Sequence, residues 1–189
     1  TNHNVLVLDQ RLRKNSSISF VNTNVTRDGL FRDANVTALV FDLNTKENTF
    51  ALEGDYKYSF VNEYGNEENK QGYNTFLNFA KTSQKFRFGL GAKYVSQDYD
   101  PNDLGINFQT HYHAYNGNIS FRTLEPTKVF NNINSTISYY SEFDNITSKI
   151  QANSLSANIN FTTVQNDSFN FYLNTRPTEI YNFYEPRSI

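Results

Sequence analysis

The stretch Thr49–Val61 alternates without a break. Phe50, Leu52, Gly54, Tyr56, Tyr58 and Phe60 take one parity, and Ala51, Glu53, Asp55, Lys57, Ser59 and Val61 take the other. Successive side chains of a strand point to opposite faces, whereas a helix would scatter this pattern around its surface. The stretch therefore predicts a β-strand with one aromatic and aliphatic face and one face carrying Glu53, Asp55 and Lys57. Its length matters as much as its period. Strands of ordinary globular proteins run about 5–6 residues, and a tilted strand of about 9–11 residues crosses a bilayer. In a membrane barrel such a strand shows its apolar face to lipid and its polar face to the interior.

Composition narrows the alternatives. No apolar run is long enough for a transmembrane helix. A low mean hydropathy speaks against a membrane helix bundle but not against a barrel, whose interior and loops are polar. The net charge of −2 offers no basic surface for nucleic acid. Cysteine is absent, which excludes disulfides and cysteine-ligated metals. The chain opens at Thr1 with no leader-like pattern, as expected of a processed protein or an excised piece. Glycosylation sequons at Asn24, Asn134 and Asn145 follow from the density of Asn, Ser and Thr, because several fall inside predicted strands rather than surface loops.

Read along the chain, the same logic predicts strands over Asn4–Leu12, Ser17–Thr26, Asn35–Leu43, Thr49–Val61, Tyr73–Thr82, Phe86–Gln97, Ile106–Leu124, Val129–Glu142, Ile146–Val164 and Phe169–Thr175. The apolar parity switches near Asn116-Gly117, where one extra residue in a β-bulge would explain the change, and a second parity switch falls near Asn153. Short turns mostly alternate with longer loops at Arg27–Ala34, Asn62–Gly72 and Asp98–Gly105; a short turn at Phe143–Asn145 breaks the alternation. Arg176–Ile189 reads as loop. The fold class is thus all-β: an antiparallel up-and-down meander of about ten strands in one domain, residues 1–189. It is a transmembrane β-barrel or a segment of a larger one, since loop lengths start the first strand on the outer side and the tail is no closing strand. The alternative is a soluble two-sheet sandwich with one solvated face.

Three segments add a resemblance. They are Asp98-Tyr99-Asp100-Pro101-Asn102-Asp103-Leu104-Gly105 before an aromatic-rich strand, Tyr181-Asn182-Phe183-Tyr184-Glu185-Pro186-Arg187 near the end, and an N-terminal Asn-x-Val strand leading through Lys-Asn-Ser to Thr23-Asn24-Val25-Thr26-Arg27-Asp28. Together they resemble an uncharacterised family of Bacteroidota proteins, a domain of unknown function. The resemblance implies a slice of a large outer-membrane β-barrel, often preceded by a domain similar to a carbohydrate-binding module. It carries over no catalytic or sugar-binding residue.

Candidate sites are few. Asp98, Asp100, Asn102 and Asp103 offer oxygen ligands for calcium, but an EF-hand needs Gly where Asp103 stands and Glu where Gln109 stands, so a turn stabilised by Asp and Asn side chains is the better reading. His111 and His113, two apart, share a strand face and suit a transition metal, but no third ligand has a recognisable spacing. Glu53, Asp55, Lys57, Arg87, Lys93 and Lys149 are candidates to line an interior, as a cross-linked network or a hydrated path. No nucleophile elbow, zinc-protease helix or phosphate loop occurs. The expectation is a non-enzymatic outer-membrane protein with no catalytic, cofactor or metal residues and no cofactor. It would serve as a porin-like pore, a membrane anchor or a part of a surface complex. Its partners would be membrane lipid and other outer-membrane or surface proteins; carbohydrate stays possible as a partner but is unsupported in this segment. The alternative is a soluble sandwich module that binds carbohydrate.

Overall fold

The computed structural model describes residues 1–29, 31–63, 68–103 and 110–181. Ten strands follow one another: β1 Asn2–Leu12, β2 Ser16–Thr26, β3 Asp33–Asn44, β4 Phe50–Asn62, β5 Lys70–Lys81, β6 Phe86–Val95, β7 Tyr112–Arg122, β8 Phe130–Asp144, β9 Ile150–Thr163 and β10 Ser168–Thr175. Each pairs antiparallel with its sequence neighbours in a single up-and-down sheet. Among the described residues β1 does not meet β10, and no strand packs on any but its neighbours. Among the described residues the sheet is open, and no second sheet packs on either face.

Cross-strand partners share a face, so the register assigns every side chain. From Leu8 through Phe20, Leu39 and Tyr56 the apolar residues stay in step. The same face continues through Phe79, Leu90 and Gly117 to Tyr139 and Leu155. Asp42, Glu53 and Asn78 lie on the opposite, polar face with Lys57 and Asn74. One face of the whole sheet is therefore apolar, and the alternation read in Thr49–Val61 extends along the sheet, with Val5 and Val7 on β1, Val40 on β3 and Tyr172 on β10 as apolar residues on the other face.

The connections collect at two ends. Arg13–Asn15, 45–49, 82–85, 123–129 and 164–167 lie at the turn end, while 27–29, 31–32, 68–69, 96–103, 110–111 and 145–149 lie at the loop end. Arg13, Asn48, Gln84 and Asn166 sit in the left-handed region, at φ 61°, 52°, 70° and 70°, which lets a tight antiparallel turn match the twist of its strands.

Three expectations change. The strand predicted at Ile106–Leu124 begins at Tyr112; Ile106–Gln109 lie outside the described residues. There is no bulge at Asn116-Gly117, because β7 pairs without a slip on both sides. The parity switch arises because Tyr112 and Ala114 are buried on the polar face while Ile119 and Phe121 are exposed on the apolar one. The second switch is real and lies near its expected place: β8–β9 slips where Glu142 faces Ala152 and Phe143 faces Ile150, leaving Gln151 as the extra residue. Finally, the turn expected at Phe143–Asn145 moves to 145–149. Asp144 nucleates it by accepting bonds at Oδ1 from the Thr147 amide (2.7 Å), the Thr147 hydroxyl (2.7 Å) and the Ile146 amide (3.2 Å).

Candidate membrane-facing surface and loop-end ion cluster

Burial is inverted relative to a soluble sheet. The apolar face is the exposed one: Leu90 keeps 60% of its surface, Phe171 59% and Ile137 58%. Soluble monomers rarely expose contiguous apolar patches beyond a few hundred Å²; here the patch spans the sheet. The buried residues Val25, Ala34, Val61, Val95, Tyr112 and Ala114 instead cluster at the loop end of the polar face.

The apolar face is zoned along the strands. At the loop end, rings stack from strand to strand: Tyr56 on Tyr73 at 6.2 Å, Tyr73 on Tyr94 at 5.4 Å, Tyr94 on His113 at 6.4 Å and His113 on Phe143 at 5.3 Å. At the turn end the rings are phenylalanines, Phe50 with Phe79 at 5.8 Å, Phe79 with Phe88 at 5.9 Å, and Phe161 with Phe169 at 5.1 Å. Leu39, Leu77, Leu90, Ile119 and Ile137 lie between. Gly54 leaves room there for the ring of its cross-strand partner Phe41, which a Cβ would meet at 2.8 Å. The stretch from Phe50 to Tyr58 runs roughly 27 Å at about 3.4 Å per residue, or about 20 Å along the normal of a barrel whose strands tilt ~40°.

The polar face is closed at the loop end by the segment 96–103. The Tyr73 amide donates to Ser96 Oγ (2.8 Å) and the Asp100 amide to Ser59 Oγ (3.0 Å), so the segment bends back over the sheet. Tyr99 thereby packs with Val95, Tyr112 and Ala114. Gly72 makes this approach possible, because a Cβ there would overlap the backbone of Asp98 and Tyr99. Burial, with a smaller contribution from the charge of Asp55, pushes the Tyr99 phenol above its ordinary value near 10.

Ion pairs pin the segment in place. Arg27 Nη2 stands 2.5 Å from Asp103 Oδ1, and Arg32 Nη2 stands 2.8 Å from Asp103 Oδ2. Arg32 Nη1 also meets Asp100 at 3.3 Å and Glu63 at 3.5 Å, and Lys70 meets Glu63 at 3.2 Å. Burial alone would lower the Arg32 pKa; Asp103, Asp100 and Glu63 together raise it. The Asp103 side chain is only 6% exposed, which is tolerable because two guanidiniums face it.

The sequence candidates divide accordingly. Asp100 and Asp103 are neutralised by arginine, and Asp100 Oδ1 accepts the Asn102 amide at 2.9 Å. The loop is thus built as a turn held by ion pairs; Leu104 and Gly105 lie outside the described residues. His111 and His113 do not share a face. His111 has a left-handed φ of 68° and precedes the strand, which breaks the alternation. Its Nε2 lies 3.8 Å from Asp144 on the polar side, while His113 stacks on the apolar side and its Nδ1 donates to Asn145 Oδ1 at 2.9 Å. Among the described residues no three His, Asp or Glu side chains converge as a metal site.

Glu53, Asp55, Lys57, Arg87 and Lys93 do occupy the polar face, but not as one network. Lys57 pairs with Asp55 at 2.7 Å, Glu53 accepts the Asn78 amide at 2.9 Å, and Lys93 lies 5.3 Å from the Tyr112 ring centroid. Lys149 belongs to the 145–149 turn and covers Tyr181 at 4.5 Å. Sequence reasoning missed Arg27, Arg32 and Lys70. The available signal was indirect: Thr23–Asp28 and Asp98–Gly105 were both singled out as segments, and the structure joins them through these ion pairs.

A family model described as Domain of unknown function (DUF5916) matches residues 1–189. No curated protein and no solved structure matches the chain.

Proposed function

We propose that this chain, which belongs to that family over its whole length, is part of the wall of a transmembrane β-barrel in a Bacteroidota-type outer membrane. The observation that carries the reading is the inverted burial: a ten-stranded sheet with an exposed apolar face and a polar, partly covered one. In water the exposed face would cost free energy in proportion to its area, at about 25 cal/mol per Å². In lipid it is the surface a barrel needs. The two aromatic zones flanking an aliphatic middle support the same reading, since Tyr and Phe mark the two interfaces of membrane barrels.

Lipid also demands that strand edges be satisfied. Here β1 and β10 each pair on one side only, so closure by further strands, from the same polypeptide or a partner, belongs to the proposal. The polar face then lines the interior, and the segment 96–103 narrows it at the loop end. The role is structural and transport-related, without chemistry of its own: a pore, or an anchor for surface components. Its partners are membrane lipid and neighbouring outer-membrane or surface proteins, not nucleic acid.

The test is solubility and labelling. Spin labels at Leu52, Leu90 and Ile137 are expected to be accessible to lipid-dissolved oxygen in vesicles, and labels at Asp42 and Asn118 to aqueous nickel complexes. A chain that stays monodisperse without detergent, with both label sets reporting water, refutes the barrel.

A further inference from the structure

The polar face is not uniform. On β1–β6 it carries the charged side chains Asp42, Glu53, Asp55, Lys57, Arg87 and Lys93. On β7 and β8 it changes character. Asn116, Asn118 and Ser120 stand on β7, with Asn134, Thr136 and Ser138 on β8; Asn118 faces Ser138, and Ser120 faces Thr136. The rows continue onto β9, where Ser138 faces Ser156 and Thr136 faces Asn158. Ionic side chains reach this part of the face only toward its ends, at Arg122, Glu142 and Asp144. Gly89 and Gly91, cross-strand partners of Asn118 and Asn116, leave the space on β6 over which those two amides lie.

None of those six β7–β8 side chains bonds another group among the described residues. That contrasts with the rest of the face, where Glu53, Lys57 and the loop-end charges are engaged. Amides and hydroxyls each both donate and accept. Set on strands about 4.8 Å apart, with same-face neighbours about 6.8 Å apart along each strand, they form a two-dimensional lattice of uncharged hydrogen-bonding groups. An ion gains little from such a lattice in comparison with the charged half. A solute carrying many neutral hydroxyls can satisfy several of its groups at once.

From this juxtaposition we infer that the β7–β8 stretch of the polar face is a binding track for neutral oligosaccharides, graded by the number of sugar units. The inference rests on the barrel reading, because it takes this face to be the wall that solutes contact. Tyr140, which faces Asn116, packs against the Val95, Tyr99, Tyr112 and Ala114 cluster and bonds Glu142, so it bounds the track at its loop-ward end.

The experiment uses the closed barrel, this chain together with the strands that complete it, in lipid nanodiscs, with folding checked first by its β-sheet circular dichroism and by a heat-dependent shift on a detergent gel. Titration calorimetry then follows gluco-, xylo- and manno-oligosaccharides of one to seven units, with sodium sulfate as the ionic control. The expected result is affinity for at least one sugar series that rises with chain length, and none for sulfate. The double variant Asn118→Val/Ser138→Ala is expected to weaken that affinity about tenfold, the loss of roughly two hydrogen bonds; Lys57→Gln on the charged half should leave it unchanged. A folded, lipid-embedded protein that binds none of the sugars, or whose binding ignores Asn118→Val/Ser138→Ala, overturns the track. A completed barrel, closing strands included, that does not enter lipid at all instead overturns the barrel reading on which the track stands.

Discussion

Replacing Leu90 by arginine separates a lipid-facing sheet from a water-facing one. Leu90 lies midway along β6, between Phe86 near the turn end and Tyr94 near the loop end, and keeps 60% of its surface exposed. Its cross-strand partner Gly117 has no side chain to shield it. A guanidinium there has no carboxylate within its face, since the neighbouring apolar positions are Phe79, Ile119 and Tyr139. At a bilayer midplane the change is expected to cost about 2–4 kcal/mol, and near an interface only about 0–1 kcal/mol. In water, an exposed surface substitution of this kind stays within about ±0.5 kcal/mol. The lipid case corresponds to a shift of roughly 30- to 900-fold in the folding equilibrium. Urea unfolding from phospholipid vesicles, followed by circular dichroism because the chain has no tryptophan, measures the difference. Phe86→Arg serves as the depth control and should cost less than Leu90→Arg. Equal, near-zero costs at both positions in vesicles would refute the assignment of the apolar face to lipid.

Three further outcomes follow from the loop end. Arg32→Ala removes contacts to Asp103, Asp100 and Glu63; breaking a buried pair costs about 3–5 kcal/mol, but Arg32 is about a third exposed, so roughly 1–3 kcal/mol is expected, read as a lowered thermal midpoint that 1 M salt partly masks. Gly72→Ala forces the 96–103 segment off the sheet, at about 1–3 kcal/mol for overpacking, and should speed proteolysis within that segment; cleavage at the wild-type rate counts against the packing described. Because the Tyr99 phenol is raised by burial, its contribution to stability is full below about pH 10 and is lost as pH rises through its elevated value. Tyr99→Phe should therefore flatten the alkaline fall in stability, and an unchanged profile would show that Tyr99 ionises freely.

The strands were legible because period and register are coupled. Once Phe50, Leu52, Tyr56 and Tyr58 share a face, a one-residue slip against β3 or β5 would move apolar side chains onto the polar face. The failures have a common cause as well. The parity switch at Asn116-Gly117 mimicked a bulge because the sequence shows only which residues are apolar, not which face is buried at each depth. At the loop end of β7 the polar face is covered by Tyr99, so Tyr112 and Ala114 are buried there, opposite to Ile119. His111 and His113 seemed paired because alternation was carried one residue beyond the strand, to a position whose left-handed backbone turns the side chain to the other side.

The sequence by itself determined the local order: ten strands, their parity, and one face of aromatic and aliphatic residues. These depend on neighbours two positions apart, and a linear text records such spacing. Only the tertiary structure decided which carboxylate meets which arginine, for Arg27 and Asp103 are separated by 76 residues and no period connects them. It also decided that the apolar face is the uncovered one. Burial is a property of what packs above a strand, and that depends on how residues 96–103 fold back over the polar face.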